Sequence, residues 1–481
     1  MSGAVRDLTT FQRWARRALP EGLVFLGPDP HHALGFFDLA PRLAIAAADR
    51  PPALVALEAM GARVWSPERL AAGGPGGAGA GPDAGEGEDE GGRGSAGLAA
   101  APGFTAWLGS LAGPDSRPPP VAVFKPSHRL EQLAAAAGWQ LLSAPAGLAR
   151  RWENKVAFRE RAAALGLHQP AGMVVDAAVG FAAVADGLGS PFVLQAPHGY
   201  SGARTLLVGD AEALQVARAA LRAPRLRATA WVAGRPVTLN ACVTAAGVAM
   251  SAPCVQVTGE AGLTRHSLGS CGNDWSWPGL AVLDLSVYRR TVRVLGEALA
   301  DDGFRGIFGV DFVQPLDGGE PWLIEVNPRL VASVSLHAQL ELRAGRLPLA
   351  ARHVMALLDP AADALPLDLH EGPLAGGQLI LHNLGAGPRA WERSTGAGAW
   401  RGAAGGAEGS PACLIRQSPD DTCLLLPPPA DRRVAGGAEW GRIQCPQGAL
   451  DEAGAVRSDL LSAAAGLLAA GDWPTRAEVD A

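Results

Sequence analysis

The stretch Gly306–Arg329, GIFGVDFVQPLDGGEPWLIEVNPR, constrains this chain more than any other. Two apolar runs, Ile307–Val313 and Trp322–Val326, flank a turn-rich centre at Leu316–Glu320, which predicts a β-hairpin. Folding about Gly318 pairs 312 with 324, 311 with 325 and 310 with 326. Side chains alternate faces along a strand, so Val310, Phe312, Ile324 and Val326 share an apolar face. Gly309, Asp311, Glu325 and Asn327 share the other. Opposed residues bring their Cβ atoms about 4.5–5.5 Å apart, and like charges placed there are destabilising unless something positive sits between them. Two carboxylates with an amide oxygen form a hard-oxygen set suited to Mg²⁺ carrying phosphates. A surface hairpin with two solvated acids and an Asn-Pro turn would show the same residues, so the chemistry needs support from the rest of the chain.

The 481 residues are enough for about three domains with a sizeable core. Hydrophobic content of 48% with 18% charge describes a soluble globular protein, with Ala, Gly and Pro inflated by low-complexity tracts. A net charge of −6 gives no reason to expect nucleic-acid or anionic-membrane binding. No stretch approaches the roughly 18 uncharged apolar residues needed to span a membrane. The N-terminus has charges interrupting every apolar run, unlike a secretory signal. Six cysteines without CxxC spacing predict a reduced, cytoplasmic setting. Only two of the 41 basic residues are lysines, Lys125 and Lys155. In so arginine-biased a chain, a retained lysine is a mild pointer to a place that requires a compact ammonium.

Residues 1–150 alternate helix and strand: a helix around Thr10–Leu19, strands at Leu23–Leu26, Arg42–Ala48, Ala62–Trp65, Val121–Phe124 and Trp139–Leu142, and helices at Pro52–Met60 and Leu130–Ala137. This is the pattern of an α/β domain with a parallel sheet. Gly73–Gly97 has almost no apolar bulk and predicts a disordered insertion. The loop Lys125–His128 follows a strand and so lies where such sheets bind ligands, though it suits ordinary surface equally. Residues 151–358 read differently. A helix Trp152–Leu165 carries Lys155. Strands Gly172–Val175 and Pro191–Gln195 follow, then a Gly/Ser loop, Ala196–Arg204, and a strand Thr205–Val208. Strand, loop, strand is how a lid can lay backbone N–H groups over phosphates. Further strands are predicted at Arg227–Val232, Pro236–Thr244 and Val248–Gln256, and a long helix Leu283–Asp301 leads into the hairpin. Residues 359–481 predict a small β-rich domain with strands at Gly377–Leu381, Leu414–Gln417 and Cys423–Leu425 and a helix Ala455–Ala470.

The order of ENK at Glu153–Lys155, PFVLQAPHGYSGA, WVAGRPVTLNACV, GIFGVDF and LIEVNPR resembles the ATP-grasp superfamily, from about Trp152 to Leu358. The last two motifs are specific as a pair. The resemblance implies a multidomain α/β and α+β chain: an N-terminal pre-ATP-grasp α/β domain, a central ATP-grasp fold and a small β-rich C-terminal domain. It implies ATP with Mg²⁺ or Mn²⁺ as cofactors. Lys155 is then the first nucleotide lysine, Asp311, Glu325 and Asn327 the metal ligands, and Arg329 the arginine on the transferring phosphate. Tyr200, Ser201 and Gly202 fall in the lid loop. One position departs: the second lysine usual on the strand before that loop is Gln195, and Arg204 is the nearby cation in sequence that could compensate. The usual acidic residue at the hinge is also missing, which leaves Asn240 as a candidate for the ribose.

The activity implied is ATP-dependent ligation, in which a carboxylate becomes an acyl phosphate that an amine or thiol attacks, with release of ADP and phosphate. Small-molecule carboxylate and amine or thiol substrates follow, and such ligases are often homodimers. An ATP-binding protein with weak or lost ligase activity, marked by Gln195, and a phosphotransferase of the same fold remain alternatives. Cys254 and Cys271, 17 residues apart, fit no standard zinc spacing. They read as buried structural thiols. The loop Cys271–Trp275 is a candidate part of the acceptor pocket from its position.

Overall fold

The computed structural model describes residues 4–67, 94–113, 117–199, 202, 204–365, 367, 373–390, 398–400, 414–418, 420–429 and 433–469. The first of three main sheets is parallel, built from β1 (Leu23–Leu26), β2 (Leu43–Ala46), β3 (Arg63–Trp65), β4 (Val121–Val123) and β5 (Leu141–Leu142) in the order β3-β2-β1-β4-β5. Strands β1, β2 and β4 are buried and apolar on both faces, as expected when helices cover both sides. The helix His128–Ala137 shows the local logic: the Ser127 side chain accepts from the Leu130 N–H at its start, and Gly138 ends it at φ +72°.

A second sheet is antiparallel, with β6 (Gly172–Asp176), β7 (Phe192–Gln195), β8 (Thr205–Val208) and β9 (Arg225–Ala230) ordered β6-β9-β7-β8. The third sheet starts with β10 (Gly234–Val243), β11 (Val248–Met250), β12 (Cys254–Thr258) and β13 (Ser270–Asp274). It continues with the hairpin β14 (Gly306–Pro315) and β15 (Trp322–Asn327) and then β16 (Gly377–His382). After a short separate strand β17 (Arg389–Ala390), paired with β20 (Arg433–Val434), the chain adds β18 (Gly398–Trp400), β19 (Cys423–Leu426) and β21 (Glu439–Cys445). The order β15-β14-β10-β12-β13-β16-β21-β19-β18, with β11 on β10, makes one sheet that runs from the hairpin to the C-terminal strands. Asp274, fully buried at the end of β13, accepts from the Ala449 and Leu450 N–H groups at 2.5 and 2.8 Å and fastens that join.

The hairpin is held by the helix Leu285–Asp301, which buries Tyr288, Val292, Leu295 and Leu299. These positions recur at helical spacing. They pack against Val310, Phe312, Leu323 and Val326. Full burial of such side chains is worth about 1.5–3 kcal/mol each, which is ample to force the polar face of the hairpin outward.

Several expectations need correction. Phe312 pairs with Leu323 and not with 324, because a bulge interrupts the register after the Asp311–Glu325 pair. Ile324 therefore leaves the apolar face and lines a cleft instead. A bulge re-aims a side chain in this way. The helix expected over Trp152–Leu165 is two helices, Ala146–Glu153 and Lys155–Ala164, broken at Asn154. Val248–Gln256 is two strands with Pro253 in the gap, since proline lacks the N–H a ladder needs. Cys271–Trp275 is not a loop: most of it is β13. Leu414–Gln417 is a 3₁₀ turn, and β21 had no counterpart in the sequence reading. Of the insertion expected to be disordered, Ser95–Gly97 belong to the helix Ser95–Ala100, and residues 73–93 lie outside the described residues. Cys254 and Cys271 are buried, and burial pushes both thiols up, as expected of structural cysteines.

Candidate active site

The two acids of the hairpin do face each other. Asp311 and Glu325 are a direct pair, with Asn327 opposite Gly309 one step along. The Asn327 amide Nδ2 stands between them, donating to Asp311 Oδ2 at 3.1 Å and Glu325 Oε1 at 3.2 Å. Thr238 on β10 donates to Asp311 Oδ1 at 2.7 Å. Burial first, and then the neighbouring Glu325 charge, push Asp311 above the ordinary carboxylate range. Burial would also raise Glu325, but the Lys155 ammonium at 2.8 Å outweighs it and holds that carboxyl low. Two all-oxygen carboxylates whose repulsion needs a cation, joined by an amide that can present oxygen, are a donor set that fits Mg²⁺.

Lys155 reaches Glu325 because of the break at Asn154. The Asn154 side-chain oxygen accepts from the Val156 and Ala157 N–H groups at 3.1 and 3.0 Å, a cap that starts a new helix with Lys155 as its first residue. Nζ also donates to the Gly199 carbonyl at 3.3 Å, which ties it to the loop after β7. On the other side of Asn154, Glu153 accepts from Arg329 Nε at 2.5 Å. Burial would raise Glu153, and Arg329 with Lys125 and Lys155 lowers it. Arg329 Nη2 reaches Asn327 Oδ1 at 3.4 Å, so arginine, amide and both acids form one connected set.

Gln195 is buried at the end of β7, in register with Arg227 on β9. Arg227 Nε donates to Gln195 Oε1 at 2.8 Å, its Nη2 donates to the same oxygen, and its Nη1 donates to the carbonyl of the bulged Ile324 at 2.9 Å. Burial lowers this guanidinium to about 10, and Glu325 opposes the drop. Arg204, the expected compensating cation, instead donates to the Leu221 carbonyl. The buried cation beside Gln195 is therefore Arg227. Its position could not be found without the β7–β9 register. Gly202 lies at φ +77°, and a Cβ there would come within 2.4 Å of the Leu268 carbonyl oxygen, so glycine is required where this loop meets the β12–β13 loop. Tyr200 and Ser201 lie outside the described residues. Asn240 is turned away: it is buried, donating to Ser333 Oγ at 3.1 Å and contacting His337 Nδ1 at 3.4 Å, and is not among the cleft-lining residues.

These groups open on one cleft of about 500 Å³. Gln195, Gly202, Asp311, Ile324, Glu325, Asn327 and Arg329 line it, as does Lys125, so both lysines of the chain bear on the same site. Glu153, Arg227 and Thr238 were missed in the sequence because each acts through a partner on another element. Ser270 and Asn273 of β13 also line the cleft.

A parallel α/β sheet, a small antiparallel lobe and a large antiparallel sheet closing on one polar cleft define the ATP-grasp architecture, and this chain has it. No family model and no curated protein matches the chain. Solved structures match it over most of its length. Biotin carboxylase from Campylobacter jejuni, in a β,γ-ATP complex, shares 13% identity at a TM-score of 0.55, covering 88% of this chain and 86% of that one. The biotin carboxylase domain dimer of Hydrogenobacter thermophilus 2-oxoglutarate carboxylase, with MgADP, ADP and bicarbonate, shares 11% at 0.56, covering 88% and 85%. N5-carboxyaminoimidazole synthetase from Staphylococcus aureus, complexed with ADP, shares 10% at 0.52, covering 93% and 96%. At these identities the likeness is one of fold. No helix among the described residues is long and apolar enough to cross a membrane.

Proposed function

We propose that the chain is an ATP-dependent ligase that activates a small-molecule carboxylate as an acyl phosphate for attack by an amine or thiol, releasing ADP and phosphate. The observation that carries this reading is the connected set Lys155–Glu325–Asn327–Asp311 with Arg329 alongside, facing a cleft large enough for a nucleotide and a substrate. Asp311, Glu325 and Asn327 would hold Mg²⁺, which supplies charge neutralisation for phosphoryl transfer. Lys155 contributes a point charge near the phosphates. Arg329, oriented by Glu153, offers a planar fork to the transferring phosphate. Gln195, held by Arg227, offers an amide in place of a second ammonium, and the loop around Tyr200, Ser201 and Gly202 would cover the triphosphate. A homodimer, the assembly named for the Hydrogenobacter domain, is the assembly proposed and is read by sedimentation.

The test is ADP release by the purified full chain across a panel of carboxylates paired with amines and thiols, beside Glu325→Ala and Asp311→Ala. Loss of substrate-dependent ADP release by about 10²–10³-fold in each variant is expected, by analogy with the loss of a charge-stabilising donor. Turnover that survives both substitutions would remove the assignment. Tight Mg·ATP binding with no ADP release under any pairing would favour a binding protein, and a stable phosphorylated product would favour a phosphotransferase.

A further inference from the structure

The same cleft has a second wall whose chemistry is the reverse of the first. Asp29, His31 and His32, just after β1, meet His266 from the β12–β13 loop, His382 at the end of β16 and Glu439 at the start of β21. Four of the ten histidines thus line one cleft. Phe124 joins this wall to the first: Arg329 lies over its ring at 5.4 Å, and His32 stacks on it at 4.0 Å and 3°.

The hydrogen bonds assign the imidazoles as acceptors. His382 Nδ1 lies 2.9 Å from the Leu263 carbonyl, which can only accept, so Nδ1 carries the proton and Nε2 carries the lone pair. His382 lines the cleft, and a protonated Nδ1 leaves Nε2 as its acceptor atom. His32 Nε2 accepts from Arg442 at 3.3 Å. His31 Nδ1 is fixed by Asp29 at 2.9 Å, and its buried Nε2 lacks a partner among the described residues. Burial holds both His32 and His382 below the ordinary histidine range, which keeps them neutral.

The charge count excludes two ligand classes. Asp29, His31 and Glu439 could group around a metal ion. However, the fully buried Arg442 guanidinium already occupies both carboxylates, at 2.8 Å from Asp29 and 2.5 Å from Glu439, so a metal ion there would have to displace it. One guanidinium against two carboxylates leaves the wall net negative, so a phosphate or carboxylate would be repelled as well. Lys125 and Arg329 are the only lysine or arginine residues lining the described cleft, and Arg329 belongs to the first wall.

We propose that this wall is the acceptor subsite, binding an amine through N–H groups donated to Glu439 and to Nε2 of His382. Its place in the reaction rests on the ligase reading, but its preference for amine over acid does not depend on turnover. The cleft would then be charge-polarised, with the activated carboxylate held among cations and the nucleophile among acceptors.

The test is isothermal titration of the full chain with 1,4-diaminobutane and with adipate, a diamine and a diacid of the same four-methylene length. The diamine is expected to bind and to weaken at least tenfold in Glu439→Gln and in His382→Gln, while adipate, drawn to the cations of the first wall, changes less than twofold in either variant. No diamine binding, diamine binding indifferent to both substitutions, or adipate binding weakened by them as much as the diamine would each overturn the proposal. If one variant fails to fold by circular dichroism, the other variant decides. Substrate-dependent ADP release by wild-type protein tests the ligase reading separately, so the two failures are distinguishable.

Discussion

Arg227 holds Gln195 by its side-chain oxygen, with Nε at 2.8 Å, and leaves the amide nitrogen to reach Thr205 Oγ1 at 3.0 Å. The glutamine is thus one end of a satisfied buried unit rather than a lysine with its charge removed. Gln195→Lys should therefore do harm, since it sets an ammonium against a buried guanidinium. We expect a loss of about 1–3 kcal/mol of stability, the cost of an unpaired buried polar group. Gln195→Lys combined with Arg227→Met should recover part of that loss. Urea unfolding of the four proteins in a double-mutant cycle measures it, and strict additivity would show that the two residues are not coupled.

Lys155→Met should be costly before any chemistry is assayed. Breaking a buried ion pair by removing one partner leaves a stranded charge and costs about 3–5 kcal/mol. Here the lower end is expected, because Glu325 borders the cleft and retains some access to water. Millimolar Mg²⁺ should return a share of that stability in Lys155→Met and much less in Lys155→Met with Glu325→Gln. Thermal unfolding with and without the ion is the measurement.

Arg329→Lys keeps the charge and loses the planar fork that engages Glu153 and Asn327. If the guanidinium serves the transferring phosphate, turnover should fall by about 10-fold or more, in line with losses of charge-assisted contacts in the transition state. The Mg·ATP dissociation constant should change far less. Equal changes in both would mean that Arg329 serves ground-state binding only.

Glu341 makes a pH prediction. It is buried in the helix Val334–Arg343, and burial raises its carboxyl to about 8, against the opposing Leu349 N–H at 2.9 Å. A carboxyl raised in the folded state binds its proton more tightly there than in the unfolded chain. Its stabilising contribution is therefore complete below the ordinary glutamate value of 4.5 and is lost as pH rises through about 8. Glu341→Gln should flatten the fall in melting temperature across that window. A wild-type slope that survives the substitution would point to another group.

The hairpin was legible because everything that makes it is local: alternation, a turn and two acids at a fixed offset. The Asp311–Glu325 pairing follows directly, while the Ile324 bulge does not, because no propensity distinguishes Leu323 from Ile324 as the residue to bury. The Asn154 break lay in the ENK motif, but a short cap inside a continuous helical pattern is outweighed by the pattern. Arg227 needed the β7–β9 register, and the acceptor wall needed four distant segments brought together by tertiary packing. β13 and β21 escaped notice because Gly272, Asn273, Gly441 and Gln444 dilute the strand signal, and both strands gain their stability from neighbours on two sides.

The continuity of the large sheet through β13 and β16 bears on how the protein can be cut. The tail cannot be trimmed as an appendage. A chain ending near residue 360 would lose β16, β21 and the backbone groups that satisfy Asp274, and would bare β13 as a new edge of unpaired N–H and C=O groups. Such an edge is a template for intermolecular pairing. A truncated catalytic fragment would accordingly be harvested as aggregate, and any smaller working unit would have to begin by redesigning that seam.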